Sequence, residues 1–299
     1  CSFFASHNAE QLLHNLGLER FEKKIKRFSA ELHFSDFNQI FMQGLFEALG
    51  YSKNKQQLLQ LALEYKYSDL KKYKEAGMSK DELISILLCS SDLVNHLPVS
   101  FAPEYKLKWS ELYTKQNFAK KHLDINWKLF RIRPVNHPAV RVVQLAELLY
   151  DKIGTSLFNE LLKIFSFKED EFKLNLFKRK LYNFFDVQIA FLPENYRIGK
   201  SRIDIVLINI ILPLIVLYSR KMVYPELEKT ALKVYAEYKG LQRNAVISSM
   251  EKFMNDAQIK VVRKKAITQQ GILALYYNFC LHHNCRLCEL NRDDLVGEM

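Results

Sequence analysis

The chain has 299 residues, 48% of them hydrophobic, which is enough to bury a substantial core in one large domain or two small ones. Lysine and arginine number 44 against 33 acidic residues, and the resulting net charge of +11 favours a polyanionic partner such as nucleic acid. The five cysteines are an odd number, which argues against a secreted disulfide framework and favours a reducing cytoplasm.

Helical periodicity dominates the chain, which contains only 9 glycines and 7 prolines. Start signals include a cap at Ser35 or Asp36, a capping box of Ser79 with Glu82, and Pro103 at a first turn. The predicted helices cover about 10–30, 36–50, 55–67, 79–88, 103–112, 138–153, 156–165, 172–185, 201–218, 225–238, 245–257 and 268–282. No segment shows sustained strand alternation. The fold class is therefore predicted to be all-α, a single irregular bundle of about ten to twelve helices.

The domain organisation is predicted to be one helical domain over 1–299, with a weak subdivision at 191–200. Pro193 and Gly199 mark that stretch, although they fit an ordinary loop equally well. The longest apolar run, 203–218, contains Asp204, Asn209 and Pro213 and is shorter than the roughly 20 residues of a membrane span. It is predicted to be a buried helix, so no membrane span is expected.

A non-helical link is predicted from Leu123 to His137, and it carries an arginine-rich run. Pro134 keeps the backbone extended, and Pro138 then starts a helix whose free N–H groups and dipole favour an anion. Arginines before and inside that first turn can hold a phosphate or carboxylate. The predicted anion-binding residues are Arg131, Arg133, Asn136, His137, Arg141 and Gln144. Alternatively, the arginines bind carboxylates of the same chain and carbonyls at helix ends.

Three cysteines lie close together near the end of the sequence, in a Cys-x4-Cys-x2-Cys spacing. Cys280, Cys285 and Cys288, with His282 and His283 between them, place several soft ligands within reach of one ion. The pattern predicts a metal staple at the end of a helical domain. Reduced cysteines with no metal are the alternative.

The run from 131 to 146 resembles the R-x-R-P-x-N-x-P-x-x-R-x-x-Q-L-A signature of a bacterial family of unknown function, domain-of-unknown-function family 2851. Further similar segments are 18–24, 46–54, 204–213, Thr268–Ile272 and the three terminal cysteines. The sequence departs from the family pattern at Cys89–Asp92, where a glycine-containing turn is expected, and at His137, which replaces an aromatic residue.

The resemblance implies that this chain is the C-terminal helical portion of a longer protein. The family carries an N-terminal half with P-D-F and V-E-I-H segments, which resemble the acidic metal site of PD-(D/E)XK nucleases and have no counterpart here. Some nucleases of that class close an iron–sulfur cluster with one upstream cysteine and three near the C-terminus. By this resemblance Cys1 joins Cys280, Cys285 and Cys288 as ligand of a [4Fe–4S] cluster or zinc. Zinc on three cysteines and a histidine, or no metal, remains open.

Three functions follow from these patterns. The first is a non-catalytic, nucleic-acid-associated helical module of a nuclease-like protein. The second is a protein-interaction scaffold without metal or catalysis, which predicts Arg131, Arg133 and Arg141 buried against acidic groups. The third is a small-molecule enzyme that uses 131–144 as an anion site with His137 as its titratable group. No nucleotide-binding, serine-hydrolase or zinc-protease motif is present.

Overall fold

The computed structural model describes residues 9–118, 120–167, 172–284 and 287–288, and they are predominantly helical. Over this part of the chain there is no β-strand, and Lys239 and Lys265 form an isolated antiparallel bridge. The all-α prediction is therefore confirmed. The physical basis is the near absence of helix-breaking residues within long apolar-striped segments.

Along the described residues the α-helices are, in chain order, α1 Ala9–Glu31, α2 Phe37–Leu49, α3 Lys55–Glu64, α4 Tyr67–Glu75, α5 Lys80–Ser90, α6 Pro103–Lys115, α7 Pro138–Lys152, α8 Leu157–Ile164, α9 Leu174–Phe184, α10 Lys200–Val206, α11 Leu212–Met222, α12 Pro225–Glu237, α13 Ala245–Met250, α14 Asp256–Lys264 and α15 Ala266–Asn278. A π-helical turn, Leu207–Ile211, lies between α10 and α11.

The predicted helix starts are confirmed by their caps. The Asp36 side chain accepts a hydrogen bond from the backbone N–H of Gln39 at 2.8 Å, which satisfies one of the free N–H groups of α2. Ser79 and Glu82 form the reciprocal capping box of α5. Pro103 occupies the first turn of α6, where a missing N–H costs nothing.

Backbone contacts divide the chain into two compact units. The central unit is Glu31–Val206, and the terminal unit combines the residues up to Ala30 with those from Leu207 onward. The sequence placed a subdivision at 191–200 and gave no sign that α1 joins the helices that follow Leu207. The prediction of one domain stays a prediction.

In the central unit, α7 runs through the core. Every residue from Pro138 to Leu149 is buried, and α5 packs against both α7 and α6. A helix that is buried on all faces is a core helix. Trp109 of α6 is fully buried and contacts the rings of Phe101 and Phe191.

The link before α7 is irregular, as predicted, apart from a short 3-10 segment, Pro134–Asn136. The buried side chain of Asn54 holds it by a double hydrogen bond: its Nδ2 donates to the Lys128 carbonyl at 3.0 Å, and its Oδ1 accepts from the Lys128 N–H at 2.9 Å. Gly50 permits this turn, because a Cβ there would overlap the Asn54 carbonyl oxygen. Trp127 adds a hydrogen bond from Nε1 to the Ser91 carbonyl at 2.7 Å.

In the terminal unit, α1 and α15 cross closely at two glycines. A Cβ on Gly17 would overlap the carbonyl oxygen of Ile267, and a Cβ on Gly271 would overlap that of Leu13. The hydroxyl of buried Tyr235 donates to the Gly17 carbonyl at 2.9 Å. The glycines are therefore needed for close backbone approach and not for unusual dihedral angles.

The stretch Glu194–Met222 is long and apolar enough to cross a membrane by length and composition. However, 67% of its most apolar window is buried inside the protein, as in a core helix. The predicted buried helix at 203–218 is confirmed.

Candidate anion-binding site

The site predicted from the sequence lies in the central unit, at the N-terminus of α7. His137 caps this helix: its Nδ1 accepts a hydrogen bond from the Ala139 N–H at 3.3 Å. An imidazole can accept only while that nitrogen is unprotonated. Burial, with a smaller contribution from His96, lowers the pKa of His137 to about 4. His137 is therefore a neutral cap at pH 7 and adds no positive charge to the site.

The guanidinium of Arg141 is held inside the unit by neutral groups. Its Nη1 donates to Gln144 Oε1 at 2.6 Å, and its Nη2 donates to Asn136 Oδ1 at 2.6 Å and to the Tyr51 hydroxyl at 2.8 Å. The residue is 3% exposed, and its buried Nε has no hydrogen-bond partner among the described residues. Among the described residues, no carboxylate lies within 4 Å of the Arg141 guanidinium. Arg141 is thus a buried cation without a counter-charge among these residues.

Tyr51 brings a second arginine to the same place. The guanidinium carbon of Arg202 lies 3.5 Å from the centroid of the Tyr51 ring, and that of Arg141 lies 5.0 Å from it. Both arginines gain from the electron-rich ring face, but they repel each other. Burial is the main cause that lowers the pKa of Arg141; Tyr51 opposes this effect and Arg202 adds to it. Tyr51 itself has a left-handed backbone, with φ 54°.

Arg131 and Arg133 are exposed and do not join the Arg141 cluster. They lie on the link before α7, and the ring of Phe130 beside them is 77% exposed. Lys53 fixes this part of the backbone: its Nζ donates to the carbonyls of Phe130 at 2.7 Å and Arg131 at 3.3 Å. In the portion of the chain with described structure, neither arginine has a carboxylate within 4 Å.

The six predicted residues therefore occupy three situations. Asn136, Arg141 and Gln144 are joined by hydrogen bonds, His137 caps α7, and the other two arginines face solvent. Gln144 also donates from Nε2 to the Tyr196 carbonyl, which ties α7 to the segment before α10. The spacing of Arg141 and Gln144 predicted that they share a helix face. No sequence signal pointed to Tyr51 or Arg202, because they come from distant elements.

The scaffold alternative predicted all three arginines of the run buried against acidic groups. Only Arg141 is buried, and its partners are a tyrosine and two amides. The two polar residues of the apolar run 203–218 bond elsewhere in the fold: Asp204 accepts a hydrogen bond from the Tyr182 hydroxyl at 2.8 Å, and Asn209 accepts one from Lys24 Nζ at 2.8 Å.

The His137 cap predicts that the folded protein loses stability in acid. The unfolded chain binds a proton at His137 with a pKa near 6.5, but the folded protein does so only near 4, so stability falls as pH drops from 6.5 to 4. After allowance for partial solvent screening we expect a loss of about 2 kcal/mol. His137→Asn keeps a capping oxygen and removes the titration, so its free energy of unfolding should depend less on pH. Urea unfolding at pH 7 and pH 4.5 measures the difference; equal pH dependence of both proteins would contradict this assignment.

The predicted metal ligands fall partly outside the described residues, where Cys1 and Cys285 lie. Cys288 is buried in an apolar cluster of the terminal unit that includes Leu13 and Leu16, and Cys280 packs against the same cluster. Within the described ranges, no three His, Cys, Asp or Glu side chains form a group that could hold a metal ion. The four-thiolate site stays a prediction.

A comparison with protein families gives one match. The family described as "Protein of unknown function (DUF2851)" matches residues 3–244, so this all-helical chain belongs to that family. The matched range contains the arginine-rich run and the segments 18–24, 46–54 and 204–213, whereas Thr268–Ile272 and the terminal cysteines lie beyond it. No curated protein and no solved structure matches the chain.

Proposed function

We propose that this protein binds nucleic acid, and that the exposed basic segment before α7 is a main contact surface. Lys128, Phe130, Arg131 and Arg133 all lie on this segment, and all four are exposed. Three cationic groups suit phosphates, and an exposed aromatic ring offers a stacking surface for a base. The net charge of +11 adds long-range attraction for a polyanion.

The observation that carries the proposal is that this exposed segment is held firmly although it is irregular. Asn54 clamps Lys128, Trp127 is bonded to Ser91, and Lys53 holds the carbonyls of Phe130 and Arg131. These hydrogen bonds present two arginines and a phenylalanine to water, where the Arg131 guanidinium lies 5.0 Å from the centroid of the Phe130 ring and none of the three side chains enters the core. A binding role explains this arrangement better than a scaffold does. Single-stranded nucleic acid fits best, because its bases are free to stack on Phe130.

We further propose that the module is non-catalytic and belongs to a nuclease-like protein. This part rests on the family resemblance, which associates such helical portions with an acidic nuclease-like half. An interaction scaffold without nucleic acid is the alternative.

The test is binding of the whole chain to a fluorescently labelled single-stranded oligonucleotide as a function of salt. We expect affinity to fall steeply with monovalent salt, with a slope of about −0.7 in log–log form for each phosphate contacted. Absence of binding at low salt would remove the proposal and leave the scaffold. Equal affinity for single strands and duplexes of the same charge would argue against base stacking.

We also propose that Cys1, Cys280, Cys285 and Cys288 hold a [4Fe–4S] cluster or zinc. The burial of Cys288 and the packing of Cys280 against one apolar cluster support it, because two of the four thiols already share a water-poor environment. When bound, such a group would cross-link the chain ends and stabilise the fold.

Elemental analysis and absorption spectroscopy of anaerobically purified protein test the metal proposal. We expect one zinc ion, or four irons with matching sulfide, per chain. Cys288→Ser should lose the metal, whereas Cys89→Ser is the matched control, since the Cys89 thiol contacts the Trp109 carbonyl in the central unit. Metal-free wild-type protein, or equal metal content in both variants, would contradict the proposal.

A further inference from the structure

A second basic site, remote in sequence from the arginine-rich run, lies in the terminal unit. Lys24 of α1 donates from Nζ to Asn209 Oδ1 and to Gln270 Oε1, each at 2.8 Å. Asn209 lies in the π-helical turn and Gln270 lies in α15. Three elements therefore converge on one amino group.

A second cation binds the same oxygen. Arg20 Nε donates to Gln270 Oε1 at 3.1 Å, and the Arg20 guanidinium lies 5.6 Å from the centroid of the Tyr277 ring. For the residues placed by the structure, neither Arg20 nor Lys24 has a carboxylate within 4 Å. Two positive groups thus converge on one neutral amide oxygen without a counter-ion among these residues.

This arrangement is electrostatically costly as it stands. Burial is the main cause that holds the pKa of Lys24 well below its usual range, and the charges of Arg20 and Arg27 add to it. Two cations in a medium of low polarity repel strongly unless a negative group lies between them.

Other features of the fold favour a functional role for this cluster. The π-helical turn adds a residue to the helix and is a geometry that proteins often use at functional sites. The cluster draws on three of the segments that are similar to the family pattern: Arg20 and Lys24 lie in 18–24, Asn209 lies in 204–213, and Gln270 lies in Thr268–Ile272. The fold brings these side chains to one point. Tyr277 is 44% exposed, so the Arg20 end of the cluster is open to solvent.

We propose that Arg20, Lys24, Asn209 and Gln270 form a binding site for a single oxyanion, a phosphate or a carboxylate. The anion supplies the missing negative charge and accepts hydrogen bonds from Arg20 and Lys24 in place of the Gln270 carbonyl oxygen. The Gln270 amide can then turn its NH2 group toward the anion, and Asn209 continues to orient the amino group of Lys24. This site is distinct from the surface proposed for nucleic acid.

The experiment measures thermal unfolding of the whole chain with inorganic phosphate or acetate, at constant ionic strength set with chloride. We expect one of the two anions to raise the unfolding temperature of the wild type in a saturable manner. The effective anion tells whether the ligand class is a phosphate or a carboxylate. No rise with either anion would overturn the proposal.

Two variants locate the effect. Lys24→Met should reduce affinity for the effective anion about tenfold or more, because a charged hydrogen bond is lost. Lys23→Met, at the adjacent exposed position, is the matched control and should bind as the wild type does. Equal shifts in wild type and Lys24→Met would overturn the proposal, since the anion would then act elsewhere.

Gln270→Glu covers the case in which Lys24→Met fails to fold. It places a carboxylate between the two cations, so we expect it to stabilise the protein and to abolish the response to the anion. A response equal to that of the wild type would overturn the proposal. A labelled single-stranded oligonucleotide should bind Gln270→Glu as it binds wild type, so failure of the oxyanion site and failure of nucleic-acid binding are distinguishable.

Discussion

The double variant Arg131→Ala, Arg133→Ala should lose roughly 25-fold in affinity for a single-stranded oligonucleotide at 0.1 M monovalent salt. The reason is that each arginine that contacts a phosphate releases about 0.7 of a condensed counterion from a single strand, so two contacts change the salt exponent by about 1.4. Fluorescence anisotropy over a salt series measures both the affinity and the slope. Because both side chains reach solvent, the variant should unfold at the wild-type temperature.

A matched control separates a specific surface from general charge. The double variant Lys106→Ala, Lys260→Ala also removes two positive charges, but from exposed positions of α6 and α14. We expect this control to retain most of the affinity and nearly the full salt slope. If it weakens binding as much as the arginine variant does, the interaction depends on net charge alone, and the segment before α7 has no special role.

Phe130→Ala tests the stacking part of the same surface. A base stacked on an aromatic ring contributes about 1–3 kcal/mol, so affinity for a single strand should fall while the salt slope stays constant. Such a result would distinguish stacking from phosphate contact within one short segment. An unchanged affinity would mean that the exposed ring serves another purpose.

The largest effect on stability is expected for Gly271→Ala. The added Cβ would overlap the carbonyl oxygen of Leu13, which belongs to the backbone of α1 and has no rotamer to change. The two helices must then separate, which costs about 3 kcal/mol or more and lowers the unfolding temperature by roughly 5 °C or more. Thermal unfolding followed by circular dichroism measures this change.

Gly199→Ala is the control for that substitution. A Cβ there meets nothing within 4 Å, so the change should leave the unfolding temperature within about 2 °C of the wild type. A small effect at Gly271 would show that α1 and α15 are not in contact at this crossing. The proposed oxyanion site, in which Lys24 of α1 meets Gln270 of α15, would then need a different explanation.

Local features of the fold were predictable because they depend on neighbours in sequence. Asp36, the Ser79 and Glu82 pair, and Pro103 act on the first turn of their own helices, so each predicted a helix start correctly. The three-residue spacing of Arg141 and Gln144 likewise predicted their contact. The sequence also predicted one anion site that contains Arg131, Arg133 and Arg141. The structure does not bring these three side chains together, because Arg141 alone turns into the core.

By itself, the sequence determined that this protein is helical, basic and rich in caps, because helix periodicity, charge and hydrogen bonds of the first turn are encoded within a few residues. Only the tertiary structure decided which of its charged groups are buried. Tyr51 and Arg202 meet Arg141 from separate elements, and Lys24 meets Asn209 and Gln270 across 185 and 246 positions of sequence. Burial and charge repulsion act through space, so they shift the pKa values of His137 and Lys24 in a way that no local pattern records.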